Sequence, residues 1–265
     1  MNDDTMKAQL LCVADSNWVL GHWYTVCMLN GRELTDFTSM AGIAEDKLGH
    51  TRALFRFMEE YYDLPEYQLE FGRAVEQVHN MELLDAPPQN WADFILTLYL
   101  ADVAIWQVEN AMRDTDVAPV KNLLTKFGEE AYFHQLCIDG WLKALDDAER
   151  DDLKAALPGR FELALQWFDE PELKARFSEL VLNKLTSIVD PSDTELAALP
   201  AGDRPDAWDA LRRRPEGSAM PPRLWEAVVP TSEDALIARR PLAVSVDDNI
   251  DLFVKVRKDE TEPQF

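Results

Sequence analysis

The sequence predicts an all-α protein, a four-helix bundle with extra helices and a proline-rich C-terminal extension. Apolar residues recur at helical spacing over four long stretches, and no segment shows the alternation of a half-buried β-strand. The chain has 265 residues, of which 47% are hydrophobic and 28% charged, which is typical of a globular protein with a sizeable core. We therefore expect a helical bundle over 1–190 and an irregular extension over 191–265 that packs on it.

Two helical hairpins account for the four long stretches. The first hairpin joins predicted helices at 6–29 and 34–62 through the turn signal "NGREL". The second joins predicted helices at 91–114 and 117–145 through "DTDVAP". The third stretch, "WADFILTLYLADVAIWQVENAMRD", is apolar on almost every side, so it should be the central helix of the bundle.

Shorter helices are predicted outside the hairpins. One short helix is expected within 66–90, and two more are expected at 158–168 and 172–189. Nine of the 15 prolines lie in 191–265. Because proline lacks the amide hydrogen that helices and sheets use, loops and short helices should prevail there. We expect this part to have no core of its own.

The formal net charge of −23 restricts the kinds of partner. An acidic surface repels nucleic acid and anionic membranes, so we expect neither as a partner. No run reaches the roughly 18 apolar residues of a membrane span, and the acidic start "MNDDTMKAQL" is unlike a secretory signal. Cys12, Cys27 and Cys137 include no C-x-x-C pair. We interpret them as free thiols in a reducing compartment, the cytoplasm, with Cys12 and Cys137 buried in apolar helices.

Two similar stretches, "AEDKLGH" and "GEEAYFH", place carboxylates before a histidine on a predicted helix. Asp46 and His50 are four residues apart, as are Glu130 and His134, and side chains at this spacing share a helix face. Carboxylate and imidazole groups are also the ligands of di-iron sites in helical bundles. The two stretches are therefore the first candidates for a functional site.

Two further carboxylates are placed to meet these pairs. Residues equidistant from a hairpin turn lie at similar heights, which puts Asp15 level with Lys47 and Asp102 level with Glu130. Asp102 lies in the apolar run "LYLADVAIW", where a carboxylate is costly unless it is paired or binds a metal. A buried acid that accepts a hydrogen bond is the alternative for Asp102. The candidate metal ligands are therefore Asp15, Asp46, His50, Asp102, Glu130 and His134.

The spacing departs from the ferritin-like di-iron site, which uses Glu-x-x-His. Lys47 stands three residues before His50, and Ala131 three residues before His134. A protonated ammonium group cannot coordinate a metal, so Lys47 should instead replace the metal's charge and hold the carboxylates together. Two interpretations stay open, a vestigial metal site that includes Lys47 and an autonomous di-iron oxidase or oxygenase. In the first, the expected partners of Lys47 are Asp15, Asp102 or Glu130.

Four stretches carry a family resemblance: "LLCVADSNWVLGHW", "MAGIAEDKLGHTRALFRF", "NWADFILTLYLADVAIW" and "EEAYFHQLCIDGWL". Together they resemble the phenylacetic acid catabolic family, ferritin-like subunits of the bacterial and archaeal phenylacetyl-CoA epoxidase, a multicomponent monooxygenase. Lys47 and Ala131 stand where the catalytic subunit has glutamates. "EAYFH" followed by "GWL" is similar to the C-type subunit, which has lost the metal site, although His50 departs from the glutamine of that pattern. The resemblance covers roughly residues 8–145.

The resemblance implies an all-α, ferritin-like subunit with no chemistry of its own. Its partner would be an iron-bearing catalytic subunit that uses O₂ and electrons from a reductase to epoxidise the ring of phenylacetyl-CoA. Di-iron would then be the partner's cofactor, and this chain would hold none. Alone, the chain is expected to form a homo-oligomer. The vestigial metal site would comprise Asp15, Asp46, Lys47, His50, Asp102, Glu130 and His134.

Overall fold

The computed structural model describes residues 3–189 and 198–228, and these residues are mostly helical. Within these ranges the α-helices are α1 (Asp3–Cys27), α2 (Leu34–Tyr62), α3 (Glu66–Phe71), α4 (Trp91–Met112), α5 (Ala118–Lys143), α6 (Asp147–Gln166), α7 (Pro171–Val189) and α8 (Pro222–Val228). Short 3₁₀ turns lie at Met28–Asn30, Val75–Gln77 and Glu82–Leu84. The four long helices and the short helix after the first hairpin are confirmed, with small differences at the ends that are normal for helix boundaries.

The four long helices form one bundle. α1 packs against α2, and α4 packs against α5, as expected for two hairpins. The hairpins then join along α1 and α4 on one side and along α2 and α5 on the other. α1 and α5 therefore lie at diagonal corners of the bundle, and the side chains that point inward from all four helices share one core.

α4 is the central helix, as its composition predicts. Besides α1 and α5, it packs against α6 and α7, so its charged residues Asp93 and Asp102 are buried with the apolar ones. By length and composition α4 is apolar enough to cross a membrane, but 94% of its most apolar window is buried inside the protein. A helix that is apolar all round is explained by such a position in a core.

The helix predicted at 158–168 is wrong in its start, because α6 begins at Asp147. The side chain of Asp146 accepts a hydrogen bond from the Glu149 backbone N–H at 2.9 Å, and the Glu149 side chain accepts one from the Asp146 N–H at 3.0 Å. This capping box satisfies backbone donors at the helix start and makes the acidic run helical. Pro158, which favours a helix start, lies inside α6 and removes an intrahelical hydrogen bond there.

The described part of the C-terminal extension, residues 198–228, packs on the bundle. It contains α8 and a small antiparallel ribbon of β1 (Trp208–Asp209) and β2 (Arg214–Pro215). The ribbon was not predicted, because strands of two residues are too short to show alternation. The remainder of the extension, 190–197 and 229–265, lies outside the described residues, so the boundary between the two predicted parts stays a prediction.

Three consecutive buried arginines fasten the extension to the bundle. Arg212 donates a hydrogen bond of 3.0 Å to a backbone carbonyl in the loop between α3 and α4. The guanidinium of Arg213 lies 2.9 Å from a carboxylate oxygen of Asp169, and Arg214 pairs with Asp85. Charge-assisted hydrogen bonds of this kind are stronger than neutral ones, so the extension is held by polar contacts as well as by packing.

The three cysteines are free thiols. Cys12 and Cys27 are buried, as expected for apolar helices that face a core. The prediction that Cys137 is buried is wrong, because it is half-buried and lines a surface recess between α2 and α5.

Candidate functional site

A lysine–aspartate ion pair is buried in the core of the bundle. Lys47 on α2 contacts a carboxylate oxygen of Asp102 on α4, and only 2% and 0% of the two side chains are exposed. The expectation that Lys47 reaches a core carboxylate is thus confirmed. Burial of two charges is unfavourable, and their attraction offsets this cost only when they are close. Oδ2 of Asp102 has no hydrogen-bond partner among the residues that the structure describes.

Two histidine–carboxylate pairs cross the interface between α2 and α5. His50 Nε2 lies 2.6 Å from Glu130 Oε2, and His134 Nε2 lies 3.0 Å from Asp46 Oδ2. Each helix supplies an acid and, four residues later, a histidine. Because α2 and α5 are antiparallel, each acid meets the histidine of the other helix. We call these two contacts the crossed pairs, and they fix α2 and α5 in one register.

Both imidazoles of the crossed pairs are neutral. Burial and then the positive charge of Lys47 lower the pKa of His50 to about 2, and the same two causes lower the pKa of His134. Each Nε2 therefore carries the proton and donates it to a carboxylate. Each Nδ1 is a buried acceptor without a hydrogen-bond partner in 3–189 and 198–228, and that of His134 lies 3.9 Å from Asp102 Oδ1.

The prediction that Asp15 meets the other candidate ligands is wrong. Its oxygens accept hydrogen bonds of 2.6 and 2.7 Å from Arg73 and one of 2.7 Å from the His79 backbone N–H. Burial alone would raise the pKa of Asp15, but the Arg73 charge and the hydrogen bonds lower it to about 2. Distance from the hairpin turn fixes only the height of Asp15 along α1, and the direction of its side chain depends on the loop that follows α3.

A buried carboxyl group that sequence reasoning missed lies at Glu109. It is 3% exposed, and its Oε1 accepts a 3.1 Å hydrogen bond from Asn17 Nδ2 on α1. Burial raises the pKa of Glu109 to about 7, although the Lys47 charge and the Asn17 hydrogen bond act in the opposite direction. Glu109 follows Asp102 by seven residues, two helical turns, and this spacing in an apolar helix was the signal that could have identified it.

The remaining predicted residues do assemble in one place. The structure brings six of the seven residues of the predicted vestigial site together around the interface of α2, α4 and α5 and leaves Asp15 outside. Those brought together are Asp46, Lys47, His50, Asp102, Glu130 and His134.

A di-iron centre does not fit these residues. Lys47 and Ala131 take the two positions where Glu-x-x-His motifs have glutamates, and the Lys47 ammonium already contacts Asp102. Asp46 and Glu130 bind histidine nitrogens instead of converging on one point. In the described ranges no three His, Cys, Asp or Glu side chains are arranged to hold a metal ion.

Two antiparallel hairpins that bring histidines and carboxylates into one core define the class of ferritin-like proteins, as predicted from the sequence. The chain belongs to the family described as "Phenylacetic acid catabolic protein", whose model matches residues 1–194, so the family resemblance is confirmed. The chain is also similar to the C-type subunit of 1,2-phenylacetyl-CoA epoxidase from Escherichia coli (strain K12), with 28% identity over 167 residues. That match covers 60% of this chain and 64% of the relative, less than two thirds of its length.

Proposed function

We propose that this chain is a non-catalytic structural subunit of a multicomponent phenylacetyl-CoA epoxidase in aerobic phenylacetate degradation. Its partner would be an iron-bearing catalytic subunit of the same family, and both would act in the cytoplasm. Two observations support the proposal: a side-chain cation stands at a metal-ligand position in the core, and the similar protein of Escherichia coli is named as a C-type subunit of the epoxidase.

The ion pair of Lys47 and Asp102 is the observation that carries the proposal. In ferritin-like enzymes the inward-facing carboxylates are neutralised by metal ions, whereas here one ammonium group on a four-carbon stem supplies positive charge. Ala131 on the facing helix offers no ligand atom. A metal could enter only by displacing a buried cation and leaving Asp102 without its partner, which is strongly unfavourable.

The crossed pairs support a scaffold role for the same core. They link α2 to α5 through neutral imidazoles, and the ion pair links α2 to α4. Buried polar contacts that are fully paired make a core rigid and select one arrangement of helices. A bundle fixed in this way can present a constant surface to a partner subunit without performing chemistry itself.

An autonomous di-iron oxidase or oxygenase is the second candidate. Its support is that His50, His134 and Asp102 still lie near one another and that both histidine Nδ1 atoms are buried acceptors. This function would require Lys47 to leave the core and the crossed pairs to rearrange. Asp15 could not serve as a ligand without losing Arg73.

Metal analysis of the purified chain separates the two candidates. The chain is produced in iron-supplemented medium and measured before and after anaerobic addition of Fe²⁺. A family paralogue with intact Glu-x-x-His motifs serves as the positive control. The proposal expects far less than one iron per chain in both measurements, and about two irons per chain would establish the oxidase candidate instead.

Association with the paralogue is the second test. The two chains are co-expressed and analysed by size exclusion with light scattering, and this chain alone is expected to run as a homo-oligomer. The proposal expects one co-eluting complex whose oxygen consumption depends on phenylacetyl-CoA and on added reductase. Two proteins that elute separately at micromolar concentration would contradict it.

A further inference from the structure

The outer face of α5 carries a cluster of exposed large apolar side chains. Tyr132, Phe133 and Leu136 are 61%, 64% and 51% exposed, and the two aromatic rings meet edge to face with centroids 5.4 Å apart. Their spacing of three and four residues places them on one side of the helix. Single exposed apolar residues are ordinary, whereas a contiguous group that includes aromatic residues is typical of a protein contact.

A recess adjoins this cluster at its C-terminal side. Its volume is about 570 Å³, and it is lined on α5 by Leu136 and Gly140 and on α2 by Thr35 and Ser39. A Cβ atom added to Gly140 would meet nothing within 4 Å, so this wall of the recess is open. Leu136 belongs both to the cluster and to the recess. The two features therefore form one continuous surface, which can accept a large side chain from outside.

The border of the surface is acidic. Glu129, one turn before Tyr132 and Phe133, is exposed and has no ion-pair or hydrogen-bond partner in the part of the chain that the structure describes. On α2, Glu45 is equally exposed and unpaired within that part, and the neighbouring Asp46 side chain is 41% exposed while it contacts His134. Two copies of such a border, in a chain of net charge −23, would repel each other, which favours a partner with basic side chains.

The buried site lies directly beneath this surface. His134 and Glu130, which alternate along α5 with the exposed residues, hold α5 to α2 through the crossed pairs. The apolar cluster is therefore mounted on a helix whose register is fixed. A rigid surface loses less entropy on binding than a mobile one, so affinity benefits from this support.

We propose that Tyr132, Phe133 and Leu136, with the adjoining recess and its acidic border, form the docking surface for the iron-bearing catalytic subunit. Below we call this set the α5 surface. The complementary face of the partner presents an apolar side chain that enters the recess and lysine or arginine side chains that meet Glu129 and Glu45. The identity of the partner rests on the proposed function, whereas the location and chemistry of the surface rest on the contacts described above.

Substitution of the apolar cluster tests its location. Phe133→Asp and Leu136→Asp are each expected to raise the Kd for the co-expressed paralogue about 30-fold or more, as for central residues of an interface. Tyr67→Asp on α3 and Leu211→Asp in the extension are matched controls, because their side chains are 72% and 61% exposed and lie away from α5. The controls should change the Kd less than threefold. Unchanged thermal unfolding of all four variants shows that they are folded.

The charged border is tested separately by kinetics. Glu129→Lys should slow association and reduce its dependence on salt, because attraction between opposite charges speeds encounter and is screened by ions. Asp152→Lys on α6 changes the net charge equally at an exposed position outside the surface and is the control. Equal association rates for the two variants would refute the acidic border as a docking element.

The outcomes distinguish the surface from the function. If the wild-type chain binds the paralogue and Phe133→Asp binds equally well, the α5 surface is refuted and the proposed function stands. If the wild-type chain does not bind at all, the proposed function fails and the inference falls with it. If the substitutions abolish self-association of this chain but leave the complex intact, the occupant is a second copy and the proposed partner is wrong.

Discussion

Lys47 and Asp102 join the two helical hairpins through one buried ion pair, since Lys47 belongs to the second helix of the first hairpin and Asp102 to the first helix of the second. The contact lies at the level where ferritin-like enzymes bind metal. It therefore has two consequences, one for the stability of the bundle and one for its ability to bind a metal. Each can be measured on the isolated chain.

Lys47→Ala should lower the free energy of unfolding by about 3–5 kcal/mol, because it leaves the Asp102 carboxylate buried without its partner. Urea denaturation followed by circular dichroism measures the change. Lys126→Ala, which removes a surface lysine 3.4 Å from Glu130, is the control and should cost less than about 1 kcal/mol. The double substitution Lys47→Met with Asp102→Leu should restore most of the loss. Equal effects of the two lysine substitutions would show that Lys47 is not an essential partner in the core.

Much of this fold could be predicted from hydrophobic spacing and turn signals. The start of α6 could not, because the capping box of Asp146 and Glu149 lies in an acidic run that also fits an exposed loop. The two-residue strands of the ribbon are shorter than any periodic signal. Elements with many apolar repeats were therefore predicted well, and elements that depend on a few local hydrogen bonds were not.

The candidate site was predictable to the extent that it depends on helix faces. The acids and histidines spaced by four residues met as expected because α2 and α5 are regular and antiparallel. Asp15 was misplaced because its partner, Arg73, lies in an irregular loop whose path no periodicity reveals. Glu109 was missed because its partner, Asn17, carries no charge and gave no sign of a polar contact in α1.

A metal site should be recoverable by two substitutions. Lys47→Glu with Ala131→Glu creates Glu-x-x-His in both hairpins, and the free Nδ1 atoms of His50 and His134 are then available beside the new carboxylates. We expect Co²⁺ binding by the double variant, detected by absorption spectroscopy and calorimetry. The wild type and each single variant should bind none under the same conditions. Equal binding by the wild type would mean that the core holds metal without these glutamates.

The crossed pairs predict neutral histidines with the proton on Nε2. Long-range ¹H–¹⁵N spectra should show this tautomer for His50 and His134 at pH 7 and still at pH 5. The folded pKa of each is lowered, so below about pH 6.5 the unfolded chain binds more protons and stability falls as pH falls. His50→Gln keeps a donor toward Glu130 and should remove roughly 2 kcal/mol of this loss between pH 7 and pH 5. A charged imidazole at pH 5 in the folded chain would contradict the assignment.

The pair of Asp15 and Arg73 predicts an acid-sensitive contribution to stability. The folded pKa of Asp15 is lowered from 3.8 to about 2, so its contribution is present above pH 4 and is lost as pH falls toward 2. Asp15→Asn should therefore show a smaller loss of stability than the wild type between pH 6 and pH 3, by roughly 1 kcal/mol. Denaturant titrations at the two pH values measure it. A difference that does not depend on pH would indicate that the Asp15 carboxyl keeps an ordinary pKa.

Glu109 predicts a dependence of the opposite sign near neutrality. Its folded pKa is raised from 4.5 to about 7, so between these values the folded chain holds a proton that the unfolded chain has released. The free energy of unfolding therefore falls as pH rises through this range, and the effect is complete above pH 7. From the size of the shift, the loss due to this one group between pH 5 and pH 8 is roughly 2–3 kcal/mol.

Glu109→Gln removes this titration and keeps an oxygen that can accept the hydrogen bond of Asn17. The variant should gain on the wild type as pH rises, so that the difference in unfolding free energy between them changes by roughly 2–3 kcal/mol from pH 5 to pH 8. Glu179→Gln, at an exposed position on α7, is the matched control and should run parallel to the wild type at both pH values. If Glu109→Gln also runs parallel, Glu109 is ionised in the folded core at pH 5. Lys47 would then be shared between two carboxylates, and the Lys47→Ala loss should exceed the range given above.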